Sequence, residues 1–185
     1  LLRNARAKGI PVTGEATPHH LTLTDECIKK YDTNYKMNPP LRSEEDRQAL
    51  IAGVADGTIT AIATDHAPHT MTAKLVEFDY APFGIIGLET ALPLTYTELV
   101  AKGVIALPDL VSKFTTGPAD ILGIENYSLA EGNVADLTIF DPECRYRIDA
   151  SKFRSNSRNT PFDGWEVQCR VCGTMVGGKM VFEEL

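Results

Sequence analysis

Up to about residue 123, apolar positions recur at helical spacing in some stretches and gather into short β-branched runs in others, and the two kinds alternate. LLRNARAKG reads as a helix with Lys8 in its last turn and Gly9 as its cap. IPVTGEA is a short strand, and Thr24 with Asp25 and Glu26 behind it predicts a helix through Tyr31. A polar loop, DTNYKMNPPLR, follows and is held extended by Pro39 and Pro40. Ser43 with Asp46 three residues on resembles a capping box; it opens a helix that buries Leu50, Ile51 and Val54 and stops at Gly57. TITAIAT suits a strand covered on both faces. After a weakly patterned stretch to Pro82, GLETALPLTYTELVAKG predicts a helix kinked at Pro93 and capped at Gly103. PDLVSKFTT, with Pro108 near its first turn, and PADILG are two further helical pieces.

From Ser128 the pattern changes. VADLTIFD, CRYRID, VQCRVCGTMV and KMVFE are short strands separated by turn residues, and Gly177-Gly178 is a two-residue hairpin turn. The predicted organisation is therefore α/β, with parallel strand-helix units over 1–123 and a small β unit over 124–185. Two and a half such units cannot close a barrel of eight strands, which typically needs ~250 residues. A short parallel sheet with open edges is expected to be part of something larger.

Composition narrows the function classes. The chain has 185 residues, 43% of them hydrophobic, enough for a sizeable core, and a net charge of -7. No basic run exceeds two residues, so nucleic acid and acidic membrane surfaces are not the expected partners. No window approaches the roughly 18 to 20 apolar residues of a membrane span, and the first residues lack a signal-peptide pattern, so the expected location is cytoplasmic. Cys27, Cys144, Cys169 and Cys172 are too few for a disulfide scaffold. Cys169 and Cys172 have CxxC spacing that a redox or metal pair would use, but on a strand residues three apart diverge, and buried strand thiols are the expectation.

The chemistry-bearing stretch is ATDHAPH, where Asp65 ends an apolar strand and His66 and His69 follow. At the carboxyl end of a parallel strand, Asp65 has three possible uses: metal ligand, general base, or a cap accepting backbone N–H groups. His19 and His20 form a second pair at a strand end, of which at most one can face a pocket. Asn38, before Pro39 and Pro40, is a turn residue or a ligand contact.

Taken in order, GEATPHHLTLTDE, KMNPPLRSEEDRQALIAGVADGTITAIATDHAPH, APFGIIGLETALPL, EGNVADLTIFDP, NTPFDGWEV and VGGKMVFE closely resemble the C-terminal half of the dihydroorotase family, of the long bacterial type. That family lies in the metal-dependent amidohydrolase superfamily. The resemblance implies a partial (β/α)8 TIM-type barrel over 1–123, comprising its last strand-helix units, followed over 124–185 by part of a small β-sandwich domain. It also implies a zinc-dependent enzyme that interconverts dihydroorotate and N-carbamoyl-aspartate in pyrimidine biosynthesis. On this likeness Asp65 matches the catalytic proton shuttle and a metal ligand, Asn38 and His69 match contacts to the substrate carboxylate, and the backbone at Phe83 and Gly84 matches a contact to the pyrimidine ring. His20 is read as a pocket-wall or structural residue.

The family's HxH pair, its nearby arginine, the bridging carboxylate and two later zinc histidines have no counterpart here, which places the start of the chain in the helix after the sixth barrel strand. The isolated chain is accordingly expected to hold no catalytic zinc and to be inactive, and to associate with a further copy or a complementing N-terminal segment. Two rivals remain open. One is a non-catalytic, dihydroorotase-like structural partner of an aspartate transcarbamoylase; the other is a hydantoinase or allantoinase acting on other cyclic amides.

Overall fold

Two short strands set the frame for everything that follows. In the computed structural model, which describes residues 1–124 and 128–184, β1 (Glu15–Ala16) and β2 (Ala61–Ile62) pair in parallel, Glu15 with Ala61 and Ala16 with Ile62. Backbone bonds from Thr60 to Gly14 and from Ala63 to Ala16 continue the contact on either side. The apolar run TITAIAT thus forms a strand at its centre only, and among the described residues each of the two strands has a single neighbour to pair with.

Between the strands, α2 (Pro18–Thr22) follows β1 at once, with Pro18 in its first turn and Thr17 capping it by accepting the N–H of His20. The longer α3 (Glu44–Ala55) starts where the capping box predicts: the Ser43 hydroxyl accepts the N–H of Asp46 and donates to its carboxylate at 3.0 Å. The helix expected over 24–31 does not form. Thr24 makes no capping bond, only a 3₁₀ turn at Asp25–Cys27 follows, and Lys30 and Tyr31 both take positive φ, which ends any helix.

The first helix, α1 (Leu2–Ala7), closes at Gly9 as expected. The weakly patterned stretch after His69 contains α4 (Met71–Lys74), capped by the Thr70 hydroxyl. Further on, α5 (Ala91–Thr95) begins four residues later than the sequence pattern suggests and passes into a wider π turn at Tyr96–Val100, closed by the Ala101 N–H on the Tyr96 carbonyl. Pro93 lies in the first turn of α5, where its missing N–H has no helical partner to lose, so the distortion falls after it rather than at it. Two more helices, α6 (Leu107–Phe114), with Pro108 in its first turn, and α7 (Thr116–Leu122), complete this part.

The remainder is an antiparallel sheet of β3 (Leu137–Arg147), β4 (Glu166–Val176) and β5 (Lys179–Glu183) in the order β3-β4-β5. The two strands read as VADLTIFD and CRYRID are one continuous β3, bulged between Asp141 and Arg145 where Pro142 interrupts the ladder. Gly177 and Gly178 turn β4 into β5 with φ of 56° and 76°, the left-handed pair that a two-residue hairpin requires. Cys169 is fully buried while Cys172 is half-buried, and both are free thiols; burial pushes the Cys169 thiol up to about 12, which leaves it unreactive.

Two cores hold these pieces. One gathers Ala16, Leu21, Val54, Ile59, Ile62, Tyr96, Leu99 and Leu110 around Cys169, and the other joins Leu23, Met37, Leu41, Ile85 and Leu94 to Ile148, Phe162 and Val167. Each core therefore contains residues from before and after the organisational change expected at 123/124. The second expected unit opens at Ile124, and residues 125–127 just after it lie outside the described residues.

Candidate functional site

Parallel pairing brings the carboxyl ends of β1 and β2 to the same side, so Thr17 to His20 and Thr64 to His69 leave the sheet together. Asp65 sits at the first turn after β2 with φ of 49°, its side chain is exposed, and among the described residues nothing donates to its carboxylate. It is not a capping aspartate. A carboxylate free of hydrogen-bond partners keeps its lone pairs for a proton or a ligand.

The next residue is anchored. His66 forms an isolated parallel bridge with Ile85, and its Nδ1 accepts the N–H of Gly87 at 3.1 Å and that of Leu88 at 3.4 Å. These contacts press 83–87 against the end of β2. The approach leaves no room for side chains: a Cβ on Gly87 would stand 2.9 Å from the Thr64 carbonyl oxygen, and one on Gly84, which has φ of 103°, would stand 2.5 Å from the Cβ of Ala67.

His69 lies within this contact. Its Nε2 meets the Phe83 carbonyl at 2.8 Å, and its backbone N–H donates to the Asn159 side chain at 3.1 Å. The Gly84 N–H donates to the Lys36 carbonyl at 2.9 Å, two residues before Asn38. On the other side of Asn38, the Pro39 carbonyl accepts His20 Nε2 at 2.9 Å. Asn38 itself is exposed, in a loop fastened before and after it. The structure thus brings His69, Phe83 and Gly84 into direct contact, places Asp65 four residues from His69 in the same loop, and ties the Asn38 loop to both strand ends.

His20 is a structural residue here. Its Nε2 must donate to Pro39, so Nδ1 accepts from the Thr17 hydroxyl at 2.6 Å. Its neighbour His19 is 2% exposed and its Nε2 has no partner among the described residues. Burial first, and the nearby His20 second, depress its pKa to about 3, so the ring is neutral.

Two lysines complete the surroundings of the loop, and sequence reading missed both. Lys74 is buried and donates to the carbonyls of Pro82 at 3.0 Å and Gly84 at 3.1 Å. Burial, then the charge of Lys36, lowers it to about 8. Lys36 donates to the carbonyls of Phe78 and Asp79 and lies 4.7 Å from the centre of the Phe83 ring. Asn159 was missed as well, being a single buried amide far along the chain; no local pattern marks it. The carbonyls of Pro82, Phe83 and Gly84 are each taken by a side chain from elsewhere, which holds this backbone against the loop that carries Asp65 and His69.

The resemblance implies zinc, and the donor set can be tested for fit. Among the described residues no group of three or more His, Cys, Asp or Glu side chains is arranged to hold a metal ion. Asp65 is available, but His66 and His69 each spend a ring nitrogen on the backbone. The described side chains do not by themselves fit zinc, which takes three or more protein ligands.

Residues 2–181 match the model of the amidohydrolase family. A dihydroorotase of Bacillus cytotoxicus is 52% identical over 184 residues, covering 100% of this chain and 43% of that protein. A dihydroorotase of Halalkalibacterium halodurans is 53% identical with the same coverage. The chain spans less than half the length of these curated relatives. Among solved structures, a D-hydantoinase (dihydropyrimidinase) from Thermus sp. superposes with a TM-score of 0.90 at 28% identity, covering 98% of this chain and 42% of that one. An L-hydantoinase (dihydropyrimidinase) from Arthrobacter aurescens gives a TM-score of 0.90 at 33% identity, with the same coverage. Together these likenesses mark the α/β fold as TIM-barrel-type.

Proposed function

The chain belongs to the amidohydrolase family, and from that premise we propose that it is the C-terminal portion of a dihydroorotase, residues 1–123 contributing the last strand-helix units of the barrel and 124–185 part of the small β domain. The complete protein would interconvert dihydroorotate and N-carbamoyl-aspartate. The observation that carries this reading is Asp65, a carboxylate at the carboxyl end of β2 with no hydrogen-bond donor among the described residues, in the same loop as His69, which holds the backbone at Phe83.

The chemistry follows from these groups. In hydrolysis of a cyclic amide, the oxygen of water bonds to the ring carbonyl carbon and the ring C–N bond breaks. Asp65 takes the proton that water loses and returns it to the leaving nitrogen, as a carboxylate free of other donors can do. The exposed Asn38 and the His69 ring bind the substrate carboxylate, and the rigid backbone at Phe83 and Gly84 lies against the planar ring. Zinc, with Asp65 as one ligand, would need its remaining ligands from segments beyond this chain, so no step is assigned to it. The partner this implies is a complementing N-terminal segment, in the same polypeptide or another copy.

Identity to dihydroorotases near 50% across the whole chain, against 28% and 33% to hydantoinases, favours the dihydroorotate ring over other cyclic amides. Steady-state hydrolysis by the full-length protein tests the reading. Asp65→Asn keeps the shape but cannot accept the proton, so turnover of dihydroorotate falls by the ~10²- to 10⁴-fold typical of a lost general base. Near-parental turnover in that variant would return ATDHAPH to an ordinary turn. Preference for a hydantoin would move the assignment to the hydantoinases, and absence of turnover in the parent would favour a structural partner.

A further inference from the structure

We propose that Asn159 is a positioning residue, which fixes the His69 loop and the Phe83-Gly84 loop in register and so makes the C-terminal tail a determinant of substrate binding. The inference rests on the reading of the site given above. Asn159 is 5% exposed, and every polar atom of its side chain is used. Oδ1 accepts the N–H of His69 at 3.1 Å, while Nδ2 donates to the carbonyls of Ala67 at 2.9 Å and Gly84 at 3.2 Å. Its own carbonyl accepts the N–H of Ile86 at 3.1 Å. A primary amide offers two donors and an acceptor in one plane, and here they are divided between the two loops that carry the proposed substrate contacts.

The segment bearing Asn159 is itself fastened. Glu89 accepts the N–H groups of Arg154 and Ser155 at 2.9 and 3.1 Å, one on each carboxylate oxygen. The Arg158 guanidinium gathers the carbonyls of Ser151, Phe153, Ser155 and Ser157 into a tight loop. Residues 151–160 therefore form a strap, bound to Glu89 near one end and to both site loops at Asn159. Because Asn159 lies 90 residues from His69 and 75 from Gly84 in sequence, it sets their relative placement through tertiary contact alone. Displacement of such loops by about 1 Å is enough to cost on the order of 10²-fold in efficiency.

The test uses the full-length protein. Asn159→Asp is close in shape but replaces both donors with an oxygen facing two carbonyls; Asn159→Ser is smaller, neutral, and carries the same expectation should the aspartate variant fail to fold. Steady-state kinetics with dihydroorotate are measured beside His69→Ala and Asp65→Asn, with amide exchange followed in peptides covering 64–70 and 82–88. The expected result is a KM raised roughly tenfold or more with a smaller change in kcat, together with faster exchange in those two peptides and unchanged protection of α3. A KM within about twofold of the parent while His69→Ala raises it, or continued protection of both peptides, overturns the role of Asn159 alone. If His69→Ala and Asp65→Asn both hydrolyse at the parental rate, the site reading falls and this role falls with it, a pattern distinct from the first.

Discussion

The Nε2 of His69 donates to the carbonyl oxygen of Phe83 at 2.8 Å, and this one bond sets what the ring can offer a substrate. A carbonyl only accepts, so the proton is on Nε2. Nδ1 has no partner among the described residues and is the ring nitrogen left to meet a ligand.

His69→Ala in the full-length protein removes both the proposed carboxylate contact and the tether on Phe83. KM for dihydroorotate is expected to rise by roughly tenfold or more, at least as prominently as kcat falls, since the interaction lost is one of binding. Steady-state kinetics of the parent and the variant check this, and an unchanged KM counts against the ring as the carboxylate contact.

Gly84→Ala places a methyl 2.5 Å from the Cβ of Ala67 at a φ of 103°, so it is penalised by both space and backbone. The expected cost is on the order of 1–3 kcal/mol, with the two loops pushed apart. Chemical denaturation of the parent and the variant measures the cost. Gly57→Ala provides the contrast: it has a positive φ of 78° but nothing within 4 Å, so only the backbone penalty applies.

Phe162 is 1% exposed, meets Trp165 edge-on at 5.2 Å, and packs in the core that also holds Leu23, Met37, Leu41 and Ile85. Phe162→Ala is expected to cost about 3–5 kcal/mol and to loosen the site loops with the tail. Leu129→Ala, at a residue 89% exposed, changes stability by less than about 0.5 kcal/mol. Urea unfolding of both variants decides whether the tail and the strand-helix part share a core energetically as they do geometrically.

What could be read from the sequence was what neighbouring residues determine. Ser43 and Asp46 announce α3 because cap and capped residue are three apart, and Gly177-Gly178 announces its hairpin because both turn residues need positive φ. Asp65 was legible as a strand-end carboxylate for the same reason. The helix over 24–31 failed because its signal was a cap that Thr24 does not make, and β3 was split because Pro142 looks like a strand breaker until a bulge absorbs it. Asn159, Lys36 and Lys74 were invisible because their roles lie in bonds to carbonyls across the fold, which no spacing rule encodes. Cys169 and Cys172, expected to be buried strand thiols on a regular ladder, lie where the pairing of β4 with β3 shifts register, and only Cys169 is buried.

His19 is 2% exposed, has no partner for Nε2 among the described residues, and has a pKa lowered from 6.5 to about 3, foremost by burial. The unfolded chain takes up this proton near pH 6.5, whereas the folded chain does not until about pH 3. Between those values the unfolded state binds more protons, so the contribution is fully present above pH 6.5 and is lost as pH falls toward 3. At pH 4.5 the loss is roughly 2–3 kcal/mol. Exposed Glu44 and Asp56, whose carboxyls are held down to about 2 by their hydrogen-bond partners, act in the same direction but at lower pH, so acid sensitivity alone does not isolate the histidine. His19→Met does, because it fills the site with a flexible apolar chain, removes the titrating ring and leaves no buried nitrogen without a partner. Urea unfolding at pH 7.5 and pH 4.5 is expected to give a smaller difference for His19→Met than for the parent, by about the amount above. Equal differences would mean that His19 charges in the folded state as readily as in the unfolded one.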